Sequence, residues 1–186
     1  AGLLTPRTTL VHGNVPQPGE LERIARAGAS LVHCPGTHAF FGREPFPFNA
    51  VRALGINLAI GTDSLASNDT LDMRLELRRL QACYPELSAM ELLAMGTTAG
   101  AKALGYVGQI GALEPGYSAD AVALETRAAT AKEVAHEWIT GTAAIRGVLL
   151  AGEWIPREAL GAHPPPPTKH SAPRGWGRNQ ATRNQA

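Results

Sequence analysis

Three short apolar runs in this sequence each end on a side chain that can exchange a proton or ligate a cation. His12 follows Thr8-Thr9-Leu10-Val11, His33 follows Ser30-Leu31-Val32, and Asp63 follows Asn57-Leu58-Ala59-Ile60-Gly61-Thr62. A carboxylate beside imidazoles can bind a divalent cation, and it can pass a proton to and from a bound molecule. A lone histidine at such a place is more often a satisfied structural group. Three ionisable residues at three equivalent places are harder to dismiss. Thr37 and His38 stand close behind His33, while Ser64, Ser67 and Asn68 follow Asp63 and can shape its loop. Phe40, Phe41, Phe46 and Phe48 either line an aromatic pocket for a planar ring or anchor their loop, with neither reading favoured. Other residues carry less. Cys34 is a thiol without a partner motif and reads as a small core residue. Glu76 and Glu91 read as helix-surface or core-edge acids, and His136, His163 and His170 as solvent-facing.

The elements that must position these residues alternate in type. The strands Thr8–His12, Ser30–Cys34 and Asn57–Thr62 are short, apolar and spaced widely enough for one crossover helix each, which parallel pairing requires. Between the first two, Leu21, Ile24 and Ala25 share one helical face and Gly28 ends the turn. Pro35-Gly36 breaks the second strand into a long aromatic, proline-rich loop, followed by a short helix from Asn49 to Leu54. Beyond Asp63 the spacing predicts helices from Leu71 to about Ala82, capped by Asp69 or Thr70, from Ser88 to Met95, and from Thr97 or Thr98 to Gly105. The period then changes to two. Ile110, Ala112 and Leu113 read as extended, Glu114-Pro115-Gly116-Tyr117 as a turn, and Ala121 to Leu124 as a strand. A helix near Ala131 to Trp138 precedes a hairpin of Val148–Leu150 and Glu153–Ile155 about Ala151-Gly152. His12, His33 and Asp63 thus fall at the C-terminal ends of successive parallel strands, where an α/β barrel gathers its catalytic loops.

Composition bounds the remaining possibilities. With 44% hydrophobic and 18% charged residues among 186, the chain can bury a core, and wholesale disorder is excluded. Its net charge of +1 divides unevenly: residues 161–186 hold Lys169, Arg174, Arg178 and Arg183 and no acid, leaving the rest mildly acidic. A body so near neutrality gives no reason to expect nucleic acid or an anionic membrane as partner. The tail, with Pro164–Pro167 and one aromatic residue, Trp176, reads as a disordered extension. No apolar run approaches the roughly 18 to 20 residues of a membrane span. Thr5, Arg7, Thr8 and His12 interrupt any signal-peptide core, and two cysteines suit a reducing compartment, so a cytoplasmic location is expected.

Several segments taken together resemble the amidohydrolase superfamily, in the branch of cytosine, guanine and adenosine-type deaminases and triazine hydrolases. They are Leu10-Val11-His12-Gly13, Leu31-Val32-His33-Cys34-Pro35, and Ile60-Gly61-Thr62-Asp63-Ser64-Leu65-Ala66-Ser67-Asn68 with Leu71-Asp72-Met73-Arg74. Thr97-Thr98-Ala99-Gly100-Ala101 and Ile110 to Gly116 with Ser118-Ala119-Asp120 extend the likeness, which covers about residues 8–156. The resemblance implies an α/β fold, the C-terminal portion of a metal-dependent (β/α)8 TIM barrel over residues 1–107, part of a small β-sandwich over 108–160, and the tail over 161–186. It also implies roles. Asp63 would bind one divalent metal, Zn or Fe(II), and take a proton from its water. His12 would hydrogen-bond the nucleophile or substrate, and His33, Thr37, His38 and Ser64 would contact substrate. Asp120 matches a structural turn of the sandwich. Relatives often carry Ser-Asn where Thr37-His38 stands, a departure that bears on the substrate.

The expected activity is hydrolysis of a non-peptide C–N bond, most simply deamination of a purine, pyrimidine or related heterocycle. A chlorohydrolase, a cyclic-amide hydrolase of the same superfamily and a non-catalytic scaffold are the alternatives. The family's metal site further needs a His-x-His pair on its first strand and a histidine, with a nearby glutamate, on its fifth. No His-x-His occurs in these residues, and its counterpart would precede Ala1, so the piece alone is expected to be inactive. A part-barrel also leaves strand edges open to complementation or to a homo-oligomer.

Overall fold

The computed structural model describes residues 2–160; the tail expectation, with His163 and His170, lies outside the described residues. The N-terminal part alternates strand and helix: β1 (Thr9–Val11), α1 (Glu20–Ala27), β2 (Ser30–His33), α2 (Pro35–Phe40), α3 (Phe48–Ala53) and β3 (Asn57–Ile60). These strands form one parallel sheet in the order β1-β2-β3, with Leu10 opposite Leu31 and Leu31 opposite Leu58. Parallel strands are covered on their faces, which is why Leu31, Leu58, Ala59 and Ile60 are buried and read as near-continuous apolar runs.

Three helices follow, α4 (Met73–Cys83), α5 (Ala89–Gly96) and α6 (Thr98–Leu104). Asp72 caps α4, its carboxylate accepting from the Arg74 N–H at 2.9 Å, so the helix starts two residues later than its apolar pattern predicts. Ser88 and Glu91 form a reciprocal capping box on α5. Leu77, Leu80 and Leu92 from these helices join Leu31, Phe48 and Val51 in the core, and Tyr84 stacks on Phe48 with centroids 4.3 Å apart. Each fully buried side chain of this kind contributes roughly 1.5–3 kcal/mol.

A second, antiparallel sheet is built from β4 (Ala121–Glu125), β5 (Ala144–Leu150) and β6 (Glu153–Pro156), with α7 (Ala131–Thr140) inserted before β5. Ile139 of α7 is fully buried in the core that α4 and α5 share, and the Arg74 guanidinium lies 5.1 Å over the Trp138 ring. Two expectations are corrected. Pro35-Gly36 does not open a loop: Pro35 is the first residue of α2, where its missing N–H and fixed φ suit a helix start. Ile110 to Leu113 does not pair as a strand, because the chain turns there, with Ser118 N donating back to Gln109 O at 2.7 Å. Among the described residues no helix is long and apolar enough to cross a membrane.

Candidate active site

The C-terminal ends of β1, β2 and β3 carry His12, His33 and Asp63. His12 (φ 71°) and Asp63 (φ 56°) both leave their strands in the left-handed region, which bulky residues rarely adopt. That turn brings the two side chains together: His12 Nε2 lies 3.7 Å from Asp63 Oδ2, with the side chains 40% and 32% exposed. Strained backbone of this kind persists where the surroundings over-determine it, and it clusters at functional sites.

Asp63 is held from its own loop. Ser67 Oγ donates to Asp63 Oδ2 at 3.1 Å, and Thr37 Oγ1 lies 3.0 Å from Ser67 Oγ. Since the serine's one proton goes to the carboxylate, Thr37 is the donor in that second contact. Behind Ser67 sits a cluster the sequence pattern does not reveal. Glu76 is fully buried and accepts from Gly36 N at 2.6 Å, Asn68 Nδ2 at 2.9 Å and Arg79 Nη1 at 2.7 Å. Asn68 Nδ2 also donates to Thr62 O at 2.8 Å, and Asn68 Oδ1 accepts from Arg79 Nη1 at 2.8 Å. One carboxylate on α4 thereby ties the start of α2 to the loop after β3. The Gly36 backbone lies so close to this cluster that a Cβ there would stand 2.2 Å from Arg79 Nη1.

A cavity of about 300 Å³ opens over this ground, lined by His12, Asn14, Thr37, His38, Arg43 and Asp63, together with Val15 and Phe41. His38 Nδ1 lies 3.1 Å from Asn14 Oδ1, and burial keeps the His38 imidazole below its ordinary range. His33 stands apart. It is 2% exposed, stacks on Phe46 with centroids 4.2 Å apart, and lines a neighbouring cavity of about 440 Å³ with Phe46, Tyr84 and Cys83. Burial, then the nearby His38 and His12, lowers its pKa to about 3, and its Nδ1 has no hydrogen-bond partner among the described residues. Thr37 is buried, whereas Ser64 is exposed and enters through its backbone, Ser64 O accepting from Ser67 N at 3.1 Å. The four phenylalanines divide: Phe46 and Phe48 anchor the core, while Phe40 and Phe41 are 60% and 55% exposed. Burial pushes the Cys34 thiol up to about 11, so it stays protonated. Glu91 pairs with Arg52 at the surface, and Asp120 closes the second sheet's turn by accepting from Ala151 N at 2.7 Å.

The fit to a divalent metal is partial. Asp63 Oδ2 faces Ser67 and His12 while no described residue donates to Oδ1, so one carboxylate oxygen is available to a cation. Among the described residues no group of three or more His, Cys, Asp or Glu side chains converges to hold one. A catalytic metal typically takes three protein ligands, so this cavity supplies one corner of such a site.

Residues 1–155 match the amidohydrolase family, and the chain belongs to it. The 5-methylthioadenosine/S-adenosylhomocysteine deaminase of Teredinibacter turnerae is 38% identical over 132 residues, covering 67% of this chain and 30% of that protein. A crystal structure of an adenosine deaminase from Xanthomonas campestris with bound zinc is 33% identical and superposes with TM-score 0.71, over 82% of this chain and 38% of the other. The zinc complex of an atrazine chlorohydrolase from Arthrobacter aurescens is 27% identical, with TM-score 0.67 over 82% and 37%. The chain thus spans about a third of the length of the relatives it matches.

Proposed function

We propose that this chain is the C-terminal part of a metal-dependent hydrolase that releases ammonia from an aminated purine, pyrimidine or related heterocycle. In this reading β1, β2 and β3 are the sixth to eighth strands of a (β/α)8 barrel, and the β4-β5-β6 sheet is part of the accompanying sandwich. One observation carries the proposal: Asp63 leaves its parallel strand in a left-handed turn, with one oxygen held by Ser67 and facing His12 at 3.7 Å and the other unengaged. Support comes from relatives named as deaminases and from neighbours solved with zinc.

Asp63 would hold the cation through the oxygen that Ser67 leaves alone. A divalent metal, zinc or ferrous iron, would acidify the attacking water and polarise the substrate. Asp63 accepts the proton of that water and returns it towards the departing amine. His12 Nε2, on the same side of the carboxylate, donates to or accepts from the oxygen that adds to the ring carbon. Ser67 keeps the carboxylate in one rotamer, and Thr37 keeps Ser67 in place. The remaining metal ligands and the group that protonates the ring nitrogen must come from outside the described residues. Loss of chloride in place of ammonia would use these same residues, and the chlorohydrolase neighbour makes it the second reading.

The test is a release assay over aminated and chlorinated purines, pyrimidines and triazines, using the protein as its gene encodes it. Ammonia release that falls by about 10²–10⁴ in Asp63→Asn is the expected result. Chloride release alone selects the second reading, and turnover unchanged in Asp63→Asn discards both.

A further inference from the structure

One buried carboxylate reaches Asp63 by two routes. Glu76 lies on α4, fully buried, and each of its oxygens begins a different one. Oε1 accepts from Asn68 Nδ2 at 2.9 Å, and the same amide donates its other proton to Thr62 O at 2.8 Å. That carbonyl belongs to the peptide joining Thr62 to Asp63, so the first route grips the backbone just before the left-handed turn at Asp63. Oε2 accepts from Gly36 N at 2.6 Å. The next residue, Thr37, meets Ser67 Oγ at 3.0 Å, and Ser67 donates to Asp63 Oδ2 at 3.1 Å, so the second route grips the side chain.

The parts of this network fit in one orientation. The Asn68 amide has two protons and both are engaged, with Thr62 O and with Glu76, while its Oδ1 accepts from Arg79 Nη1 at 2.8 Å. Turning the amide over would set its oxygen against the Thr62 carbonyl and the Glu76 carboxylate. Glu76 itself must be an acceptor at both oxygens, because Arg79 Nη1 is a third donor to it at 2.7 Å. Packing alone does not ask for an acid here. Leu77 and Leu80 bury the same helix with apolar side chains, and a buried ion pair contributes little net stability that a well-packed apolar residue would not.

We propose that Glu76 is a positioning residue for Asp63. Through Asn68 it sets the peptide before the aspartate, and through Gly36, Thr37 and Ser67 it sets the carboxylate rotamer. Together the two routes aim the oxygen that Ser67 leaves alone at the cation. This rests on the reading of Asp63 as a cation ligand. The test measures zinc affinity, by competition with a chelator, in the gene-encoded zinc-loaded protein and in Glu76→Gln, Asn68→Ala, Asp63→Asn and Ile139→Val. Glu76→Gln keeps the shape but sets an amide N–H₂ against the converging donors, and Asn68→Ala cuts the Thr62 route alone. Ile139→Val trims a fully buried side chain on α7 and controls for lost stability, followed in parallel by urea unfolding. Glu76→Gln and Asn68→Ala should each weaken zinc binding at least about fivefold, while Ile139→Val binds as the wild type does. Combined, the two should weaken it by less than the product of their single effects, because they share a route. A smaller loss in either single variant, effects that multiply, or an equal loss in Ile139→Val overturns the proposal. Should Glu76→Gln fail to fold, Asn68→Ala decides by the same measure. Strong loss of zinc in Asp63→Asn beside wild-type affinity in Glu76→Gln discards the positioning role alone. No zinc binding by the wild type, or binding unchanged in Asp63→Asn, discards the cation reading and the proposal with it.

Discussion

At the scale of single residues, the side chains around Asp63 divide into those that meet a ligand and those that hold the first group still. Ser67 touches the carboxylate oxygen directly at 3.1 Å. Ser67→Ala should leave the fold intact and lower turnover by roughly fivefold, with KM little changed, since a lost neutral hydrogen bond is worth about 1 kcal/mol. Full turnover in that variant would show that the carboxylate is held by other means. Glu76 belongs to the second kind. Glu76→Ala would strand the buried Gly36 N–H and take one acceptor each from Asn68 and Arg79, which keep Thr62 O and Asp69 respectively. A loss of about 1–3 kcal/mol in urea unfolding is expected, and an unchanged stability would mean that the cluster is not built as described.

Elements show why part of this was legible from sequence and part was not. β1, β2 and β3 announce themselves as apolar runs ended by ionisable residues, and α5 by Ser88 as its N-cap. The start of α2 was hidden because Pro35-Gly36 has the composition of a breaker. Its helical role depends on Gly36 pressing its backbone against Asn68 and Arg79, residues more than thirty positions away. Glu76 was misread for the same reason: helical periodicity marks it as an edge acid, and only the distant partners make a buried position tolerable. Arg43 and Asn14 carried no motif at all, and only the cavity groups them with His12 and Asp63. Gly36→Ala should lower stability by about 1–3 kcal/mol, by overpacking against the Arg79 and Asn68 side chains, as read by chemical denaturation. The β5–β6 turn offers the opposite case. Ala151 holds φ 50° there, so Ala151→Gly should raise stability by about 1 kcal/mol, and a destabilised variant would contradict the turn geometry.

For the whole molecule, α4, α5 and α7 share one core with the parallel sheet, and His33 reaches that core through its stack on Phe46. His33 is buried as the neutral imidazole, with its pKa lowered from 6.5 to about 3. Above pH 6.5 folded and unfolded chains are both neutral at this group, and it exerts no pH effect. As pH falls from 6.5 towards 3, the unfolded chain takes up the proton and the folded one does not, so stability declines by up to about 1.4 kcal/mol per unit. His33→Asn should flatten that acid limb in denaturation measured at pH 7 and pH 5, and an unchanged limb would assign it to other groups. The measurement closest to the central claim is elemental analysis of the gene-encoded protein beside Asp63→Asn, each checked for native circular dichroism. About one equivalent of zinc or iron in the first and a large deficit in the second is the predicted result. Equal metal content in both would contradict the assignment of Asp63 as the residue that grips the cation.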